Sequence, residues 1–158
     1  DLAARGMVLD VMLVPASGGG LLAGIALAFS ELLPETALYA VEPAGFDDHK
    51  RSFKSGKRQK NKKTTGSICD ALLSERPGSL TFAINQDRVS GGLTVSDDEV
   101  REAIRYAFNT LKLVVEPGGA VALAALLSGK INCADQVTAI VMSGGNVDAG
   151  LYTDVLGS

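Results

Sequence analysis

Two glycine turns, each following a short apolar run, constrain this chain more than any other feature. Ser17-Gly-Gly-Gly comes after Val8–Val14, Pro15 and Ala16, and Ser143-Gly-Gly directly after Gln136–Met142. Apolar runs of that length are expected of strands buried on both faces of a parallel sheet. Leu21–Leu33 is rich in helix formers and stops at Pro34, and Ala37–Val41 is again apolar. Strand, glycine turn, helix and strand in that order predict a β-α-β unit with a right-handed crossover.

The remaining chain continues the alternation. Gly45–Phe53 predicts a short helix and Pro77-Gly78 a turn, with Leu80–Ile84 read as a short strand. Ser96-Asp-Asp-Glu99 has the spacing of a capping box, so a helix is expected to run to about Leu111 with Val100, Ile104, Ala107, Phe108 and Leu111 on one face. Leu113–Val115 is short and apolar, Glu116-Pro-Gly-Gly is a turn, and Ala120–Leu127 is an alanine-rich helix closed by Gly129. The fold class expected is α/β, an open and mostly parallel sheet flanked by helices. Such sheets bind ligands outside the carboxyl ends of their strands, where both glycine turns lie.

With 158 residues, 46% of them hydrophobic, the chain can bury one sizeable core. Cys69 and Cys133 have neither metal-ligand spacing nor the density of a disulfide framework, which points to a reducing cytoplasm. Met12–Phe29, the most apolar stretch, is broken by Pro15, Ser17 and three glycines, so no membrane span or secretory leader is expected. The opening Asp1-Leu-Ala-Ala-Arg-Gly reads like the end of a helix, suggesting a truncated or processed product.

Lys50–Lys63 holds eight basic residues and no acidic one. Taking those eight from 15 basic residues leaves 7 against 18 acidic, so the rest of the chain is strongly acidic while the whole stands at −3. With Phe53 its one aromatic residue, the segment lacks the interleaved stacking platforms of a nucleic-acid surface. It is expected to be a solvated, mobile linker over 50–63, with no nucleic-acid partner.

The first glycine turn opens a helix, so its N–H groups and the helix dipole favour an anion, a phosphate above all. A tight connection with no ligand is the alternative. Gly18-Gly-Gly20-Leu-Leu-Ala23 also meets the looser dinucleotide fingerprint, with Glu42 about 20 residues on, so spacing leaves a dinucleotide open. A P-loop is disfavoured because Gly-Lys-Ser/Thr is absent.

Five motifs occur together: Pro15-Ala-Ser-Gly-Gly-Gly-Leu-Leu-Ala-Gly-Ile-Ala26, Val41-Glu-Pro43 with Asp47-Asp48, Ser67-Ile-Cys-Asp70, Val115-Glu-Pro-Gly-Gly119 and Ser143-Gly-Gly-Asn-Val-Asp148. In order and spacing the chain resembles the threonine dehydratase and serine racemase family of pyridoxal-phosphate enzymes of fold type II, including its β-hydroxyaspartate dehydratases. The resemblance implies that residues 1–158 are the carboxyl-terminal portion of the large cofactor domain. It implies that Ser17, Gly18, Gly19, Gly20 and Leu21 hold the cofactor phosphate, that the Ser143 hydroxyl meets the pyridine nitrogen, and that Glu116 lies near the ring edge. As a lone carboxylate before Pro117-Gly118, Glu116 reads instead as a cap for the following helix.

The same resemblance implies a divalent cation, Mg²⁺, Ca²⁺ or Mn²⁺, at Glu42, the Phe46 carbonyl and Asp48, an all-oxygen set suited to hard ions. A solvated acidic turn is the alternative, and His49 beside it is expected to face solvent. At Asp70-Ala71 the chain departs from the family's usual Asp-Gly, adding a methyl group near where the cofactor's face is expected.

The family's Schiff-base lysine lies in a serine-x-lysine segment of the amino-terminal half, and no such segment is recognisable here. No catalytic residue is therefore expected in this chain, which by itself should be inactive. By resemblance the parent is expected to be a homodimeric hydroxy-amino-acid ammonia-lyase. It would act on a small amino acid (serine, threonine or 3-hydroxyaspartate) and would need the missing amino-terminal half. A racemase of serine type and a non-catalytic phosphate- or metal-binding module are the alternatives.

Overall fold

The computed structural model describes residues 5–157. Strand β1 (Val11–Pro15) leads through the first glycine turn into α1 (Gly20–Leu32), and β2 (Ala37–Pro43) follows. After them come α2 (Asp48–Ser55), a 3₁₀ turn at Asp70–Leu72, α3 (Ser79–Asn85) and β3 (Gly91–Val95). The chain continues with α4 (Asp97–Tyr106), a π-helical stretch (Ala107–Leu111), α5 (Pro117–Leu127), β4 (Thr138–Ile140) and α6 (Ala149–Gly157). The four strands are all parallel in the order β3-β2-β1-β4. Among the described residues no helix is long and apolar enough to cross a membrane.

Alternation along the central strands sends side chains to two cores, as the pleat requires. Val11, Leu13 and Val41 pack with Val100, Ile104 and the buried face of α5, while Val14, Leu38 and Ala40 pack with Leu22 and Ala26 of α1. Helix α5 is buried from Pro117 to Ala125 on every side. Its run of glycine and alanine makes that possible, because small side chains let neighbouring elements approach from all directions, and a helix apolar all round belongs in a core.

The Ser96 cap forms as the spacing predicts: its Oγ accepts the Glu99 N–H (3.2 Å), and Glu99 Oε2 accepts the Ser96 N–H (2.7 Å). The apolar face expected beyond it is cut short. Val100, Ile104 and Ala107 are buried, but Phe108 and Leu111 are each 41% exposed, because the π-helical turns add residues per turn and rotate the stripe away from the core.

Two other expectations need correction. Leu80–Ile84 is helical, not a strand: Phe82 and Asn85, three apart, are buried while Leu80 is 73% exposed, a helical pattern set by packing of α3 against α1. The last strand is shorter than Gln136–Met142, and its three residues are half-buried because β4 forms an edge of the sheet in this chain. Strand β3 is an element that sequence reasoning does not place, since it opens on Gly91-Gly92. These glycines mark close approach, because a Cβ on Gly92 would lie 2.7 Å from the Lys50 Cα of α2.

The basic stretch is not one linker throughout. Lys50–Ser55 belong to α2. Beyond the helix, Gln59 N–H donates to Ser52 Oγ (2.8 Å), Asn61 is buried, and Lys60 pairs with Glu75 at 2.6 Å. Cys69 and Cys133 are free thiols.

Candidate functional site

The first glycine turn is fixed by its own carbonyls. Gly19 takes φ 89° and ψ 8°, a left-handed conformation that glycine adopts without penalty, and α1 begins at the next residue. The Ser17 carbonyl accepts from His49 Nε2–H (2.7 Å). The Gly18 carbonyl accepts from the Gly78 N–H (3.1 Å) and from the Thr81 hydroxyl (2.6 Å). The Gly19 carbonyl accepts the Ala23 N–H (2.9 Å) and, at 3.4 Å, the Asn85 amide. All three carbonyls are thus drawn back into the protein. No acceptor among the described residues meets the N–H of Gly18 or Gly19, and a helix's first N–H groups have no partner within it. A Cβ on Gly18 or Gly20 would meet nothing within 4 Å. The turn forms a cradle that is open on one side, donor-rich and at a helix start, a geometry suited to an anion.

A cavity of about 160 Å³ lies over the cradle, lined by Pro15, Ser17–Leu21, Leu72 and Ser143. Ser143 also lines a second cavity of about 320 Å³ with Leu113–Val115, Met142, Gly144 and Gly145. The fold thus brings the two glycine turns together, with Ser143 lining both the smaller cavity over the first turn and the wider one beyond it. A larger cavity of about 480 Å³, walled by Phe46, Arg51, Lys60, Lys62 and Lys63, is separate from both. Its Arg51 is engaged by Asp47 and Asn61 and its Lys60 by Glu75.

Glu116 stands at the N-cap position of α5 but does not cap it with its side chain, so that reading is corrected. Its Oε2 accepts the Asn146 N–H (3.0 Å), and its own N–H donates to the Gly144 carbonyl (2.9 Å). A Cβ on Gly144 would fall 2.5 Å from Glu116 Oε1. Glu116 therefore clamps the turn that carries Ser143.

The expected cation ligands cluster at the start of α2. Glu42 is fully buried, and its carboxylate accepts the N–H groups of His49 (2.7 Å) and Lys50 (2.9 Å). Burial pushes its carboxyl well above the usual range, with those amides working in the opposite direction. Asp48 Oδ1 accepts from the Asn61 amide (2.6 Å), Oδ2 is buried without a partner, and burial raises this carboxyl to about 6. The Phe46 residue is buried beside them. An unpartnered buried carboxylate oxygen suits a cation. Glu42 is largely committed to the helix, and no three His, Cys, Asp or Glu side chains converge as a ligand set among the described residues.

His49 does not face solvent. It is fully buried, 5.6 Å from the Phe53 ring, and burial lowers its pKa while the Nε2–H bond to the Ser17 carbonyl works in the opposite direction. Ala71, where the sequence departs from the common pattern, lies 3.3 Å from where a Cβ on Gly118 would sit, at the start of α5.

Sequence reasoning misses Thr81 and Asn85. Their spacing of four places them on one helical face, a signal that is hidden once the segment is read as a strand.

Comparison with known proteins matches residues 2–144 to the family described as "Pyridoxal-phosphate dependent enzyme". The chain belongs to that family. One relative within it is the L-threo-3-hydroxyaspartate ammonia-lyase of Pseudomonas sp, 40% identical over 148 residues, covering 94% of this chain and 46% of that protein. Another is the serine racemase of Dictyostelium discoideum, 37% identical over 153 residues with 94% and 46% covered. Among solved structures of the family, a threonine deaminase from T.th. superposes with a TM-score of 0.86 at 39% identity, covering 93% of this chain and 49% of that one. The chain spans about half the length of the curated relatives it matches.

Proposed function

We propose that these residues form the cofactor-phosphate half of a hydroxy-amino-acid ammonia-lyase, whose Schiff-base lysine lies in the other half of a longer protein. The observation that carries the reading is the shared cavity: the donor-rich cradle at Ser17–Leu21 and Ser143 line one space. Pyridoxal phosphate, when bound, supplies an electron-withdrawing ring conjugated to the substrate nitrogen. In this chain the loop N–H groups would hold its phosphate and Ser143 its ring nitrogen, while Glu116 keeps Ser143 in place. A neutral hydroxyl at the ring nitrogen does not enforce the full positive charge that a carboxylate would, which suits prompt loss of a β-hydroxyl. The net change converts serine, threonine or 3-hydroxyaspartate into a 2-oxo acid and ammonia, the water lost from the β-carbon being regained as the nitrogen leaves. Two further parts of the proposal are a homodimeric assembly, from the resemblance alone, and a cytoplasmic setting, from the sparse cysteines.

The test is ammonia release by the longer protein from those three amino acids, with the chirality of the remaining serine followed in parallel. Ser143→Ala is expected to lower the rate on the order of tenfold or more, consistent with losing about 1.5 kcal/mol or more of a charge-influencing hydrogen bond, and to leave cofactor retention nearly unchanged. An unaltered rate would remove Ser143 from the ring. Inversion of serine without ammonia release would favour a racemase, as in the Dictyostelium relative.

The cation proposal stands on the unpartnered Asp48 oxygen. Asp48→Ala is expected to weaken Mg²⁺ or Ca²⁺ binding at least tenfold by calorimetry, since it removes a charged oxygen ligand. Equal affinity in wild type and variant would place any bound ion elsewhere.

A further inference from the structure

The cradle depends on which way three successive peptide planes face. In a trans peptide the carbonyl of one residue and the N–H of the next point in opposite directions, so tethering the carbonyl aims the N–H. The described chain contains no cis peptide bond. His49 Nε2–H on the Ser17 carbonyl therefore sets the direction of the Gly18 N–H. The Thr81 hydroxyl and the Gly78 N–H on the Gly18 carbonyl set that of Gly19. The third carbonyl, of Gly19, is held by the first hydrogen bond of α1 and needs no outside help.

Glycine at 18 and 19 makes these tethers necessary. A peptide flanked by glycine can turn over with little steric resistance. If the Ser17–Gly18 plane turned, it would present a carbonyl oxygen to the phosphate in place of a donor. The tether on that plane is a side chain from a different element, 32 positions away, and it is enclosed: His49 is fully buried against Phe53, and a Cβ on Gly19 would come within 2.7 Å of its Cε1.

We propose that His49 and Thr81 are positioning residues of the phosphate loop, holding the Ser17 and Gly18 carbonyls back so that the next N–H groups face the anion. The inference rests on the cofactor-phosphate reading of the cradle. It adds residues which touch neither phosphate nor substrate, and it gives the solitary histidine a task independent of the neighbouring carboxylates.

The decisive comparison uses the full-length apoenzyme titrated with pyridoxal 5'-phosphate and with pyridoxal, which lacks the phosphate. Bound cofactor is followed by absorbance, and the bound phosphate by ³¹P resonance. His49→Phe keeps a ring against Phe53 and Gly19 but removes the donor. Leaving the part-buried Ser17 carbonyl unpaired costs about 1–3 kcal/mol, so affinity for the phosphorylated cofactor is expected to fall roughly 5- to 100-fold, with pyridoxal affinity within about twofold of wild type. His49→Gln, whose amide can reach the same carbonyl, is expected to recover most of the loss. Should the phenylalanine variant not fold, Thr81→Val, of nearly equal volume at a half-buried site, is expected to show the same phosphate-selective loss at smaller size. An unchanged ratio of the two affinities in folded His49→Phe, or in Thr81→Val if that must stand in, overturns the proposal. If wild type itself does not prefer the phosphorylated compound, the cradle is not a phosphate site, and the cofactor reading fails first and takes this inference with it.

Discussion

The 158-residue chain, purified and supplied with pyridoxal 5'-phosphate, is expected to release no ammonia from serine, threonine or 3-hydroxyaspartate. The reason is where its amino groups lie. The eight lysines stand at 50, 54, 57, 60, 62, 63, 112 and 130, and none of them lines the cradle cavity or the wider cavity beyond Ser143. Lys60 pairs with Glu75 and Lys130 with Glu99, each at 2.6 Å. Lys112 donates to the Asn109 carbonyl (2.8 Å), and Lys50 reaches towards Thr94 of β3. Covalent catalysis of the family's kind needs an amine within bonding reach of the cofactor's carbonyl carbon, and no side chain here provides one. Borohydride treatment followed by peptide mass mapping checks the same point without turnover: any adducts should scatter over exposed lysines. Ammonia release, or reduction concentrated on one lysine of this chain, would show that the chemistry does not depend on another segment.

Gly119→Ala is expected to destabilise the fold by about 2–3 kcal/mol, near the upper end for an overpacked core position. In a chain of this length that is a fall of roughly 5–10 °C in Tm. The added Cβ would lie 2.8 Å from both the N and O of Gly144, and 3.1 Å from Val115 Cγ2. Two of those three are backbone atoms, so no rotamer change relieves the contact. Moving the turn is also costly, because its Asn146 N–H is held by the Glu116 carboxylate and the Gly144 carbonyl by the Glu116 N–H. Relief must come from moving Ser143–Asn146, so loss of the Ser143 contact should accompany loss of stability. Gly24→Ala is the control of opposite sign. It lies within α1, with nothing within 4 Å of its prospective Cβ, and should stabilise by about 0.5–1 kcal/mol. Chemical denaturation of the two variants side by side separates the effects, and equal midpoints would mean that the α5–turn contact is looser than its geometry implies.

The parts of this molecule that are legible in its sequence are those governed by neighbours along the chain. The β1–turn–α1–β2 unit follows from apolar runs separated by glycine and proline, and the Ser96 cap from a spacing of three. Both glycine turns are readable as strand ends, and the fold joins them in one cavity. What escapes is governed by contacts across the fold. Gly91-Gly92 looks unlike a strand until α2 is laid across it, and Leu80–Ile84 looks like a strand until α1 selects Phe82 and Asn85. His49 looks solvated beside two aspartates because nothing local says that α2 folds back over residue 17. The tethers on the Ser17 and Gly18 carbonyls span 32 and 63 positions, and no periodicity reports such distances. The exposed end of the α4 stripe is hidden for a smaller reason, a change of helical pitch at Ala107 that leaves composition unchanged.

The strand order also sets a timetable for synthesis. Strands β1, β2 and β3 are contiguous in the sheet and complete by residue 95, whereas β4, which pairs with β1 on its other side, begins at Thr138. Every tether of the cradle, through His49, Gly78, Thr81 and Asn85, precedes residue 86. At ribosomal rates of about 5–20 residues per second, roughly 3–12 s separate the last of those residues from Ser143. The turn proposed to hold the phosphate can therefore assemble with its tethers on the nascent chain before the serine proposed to face the ring has been translated, on a sheet still lacking its fourth strand.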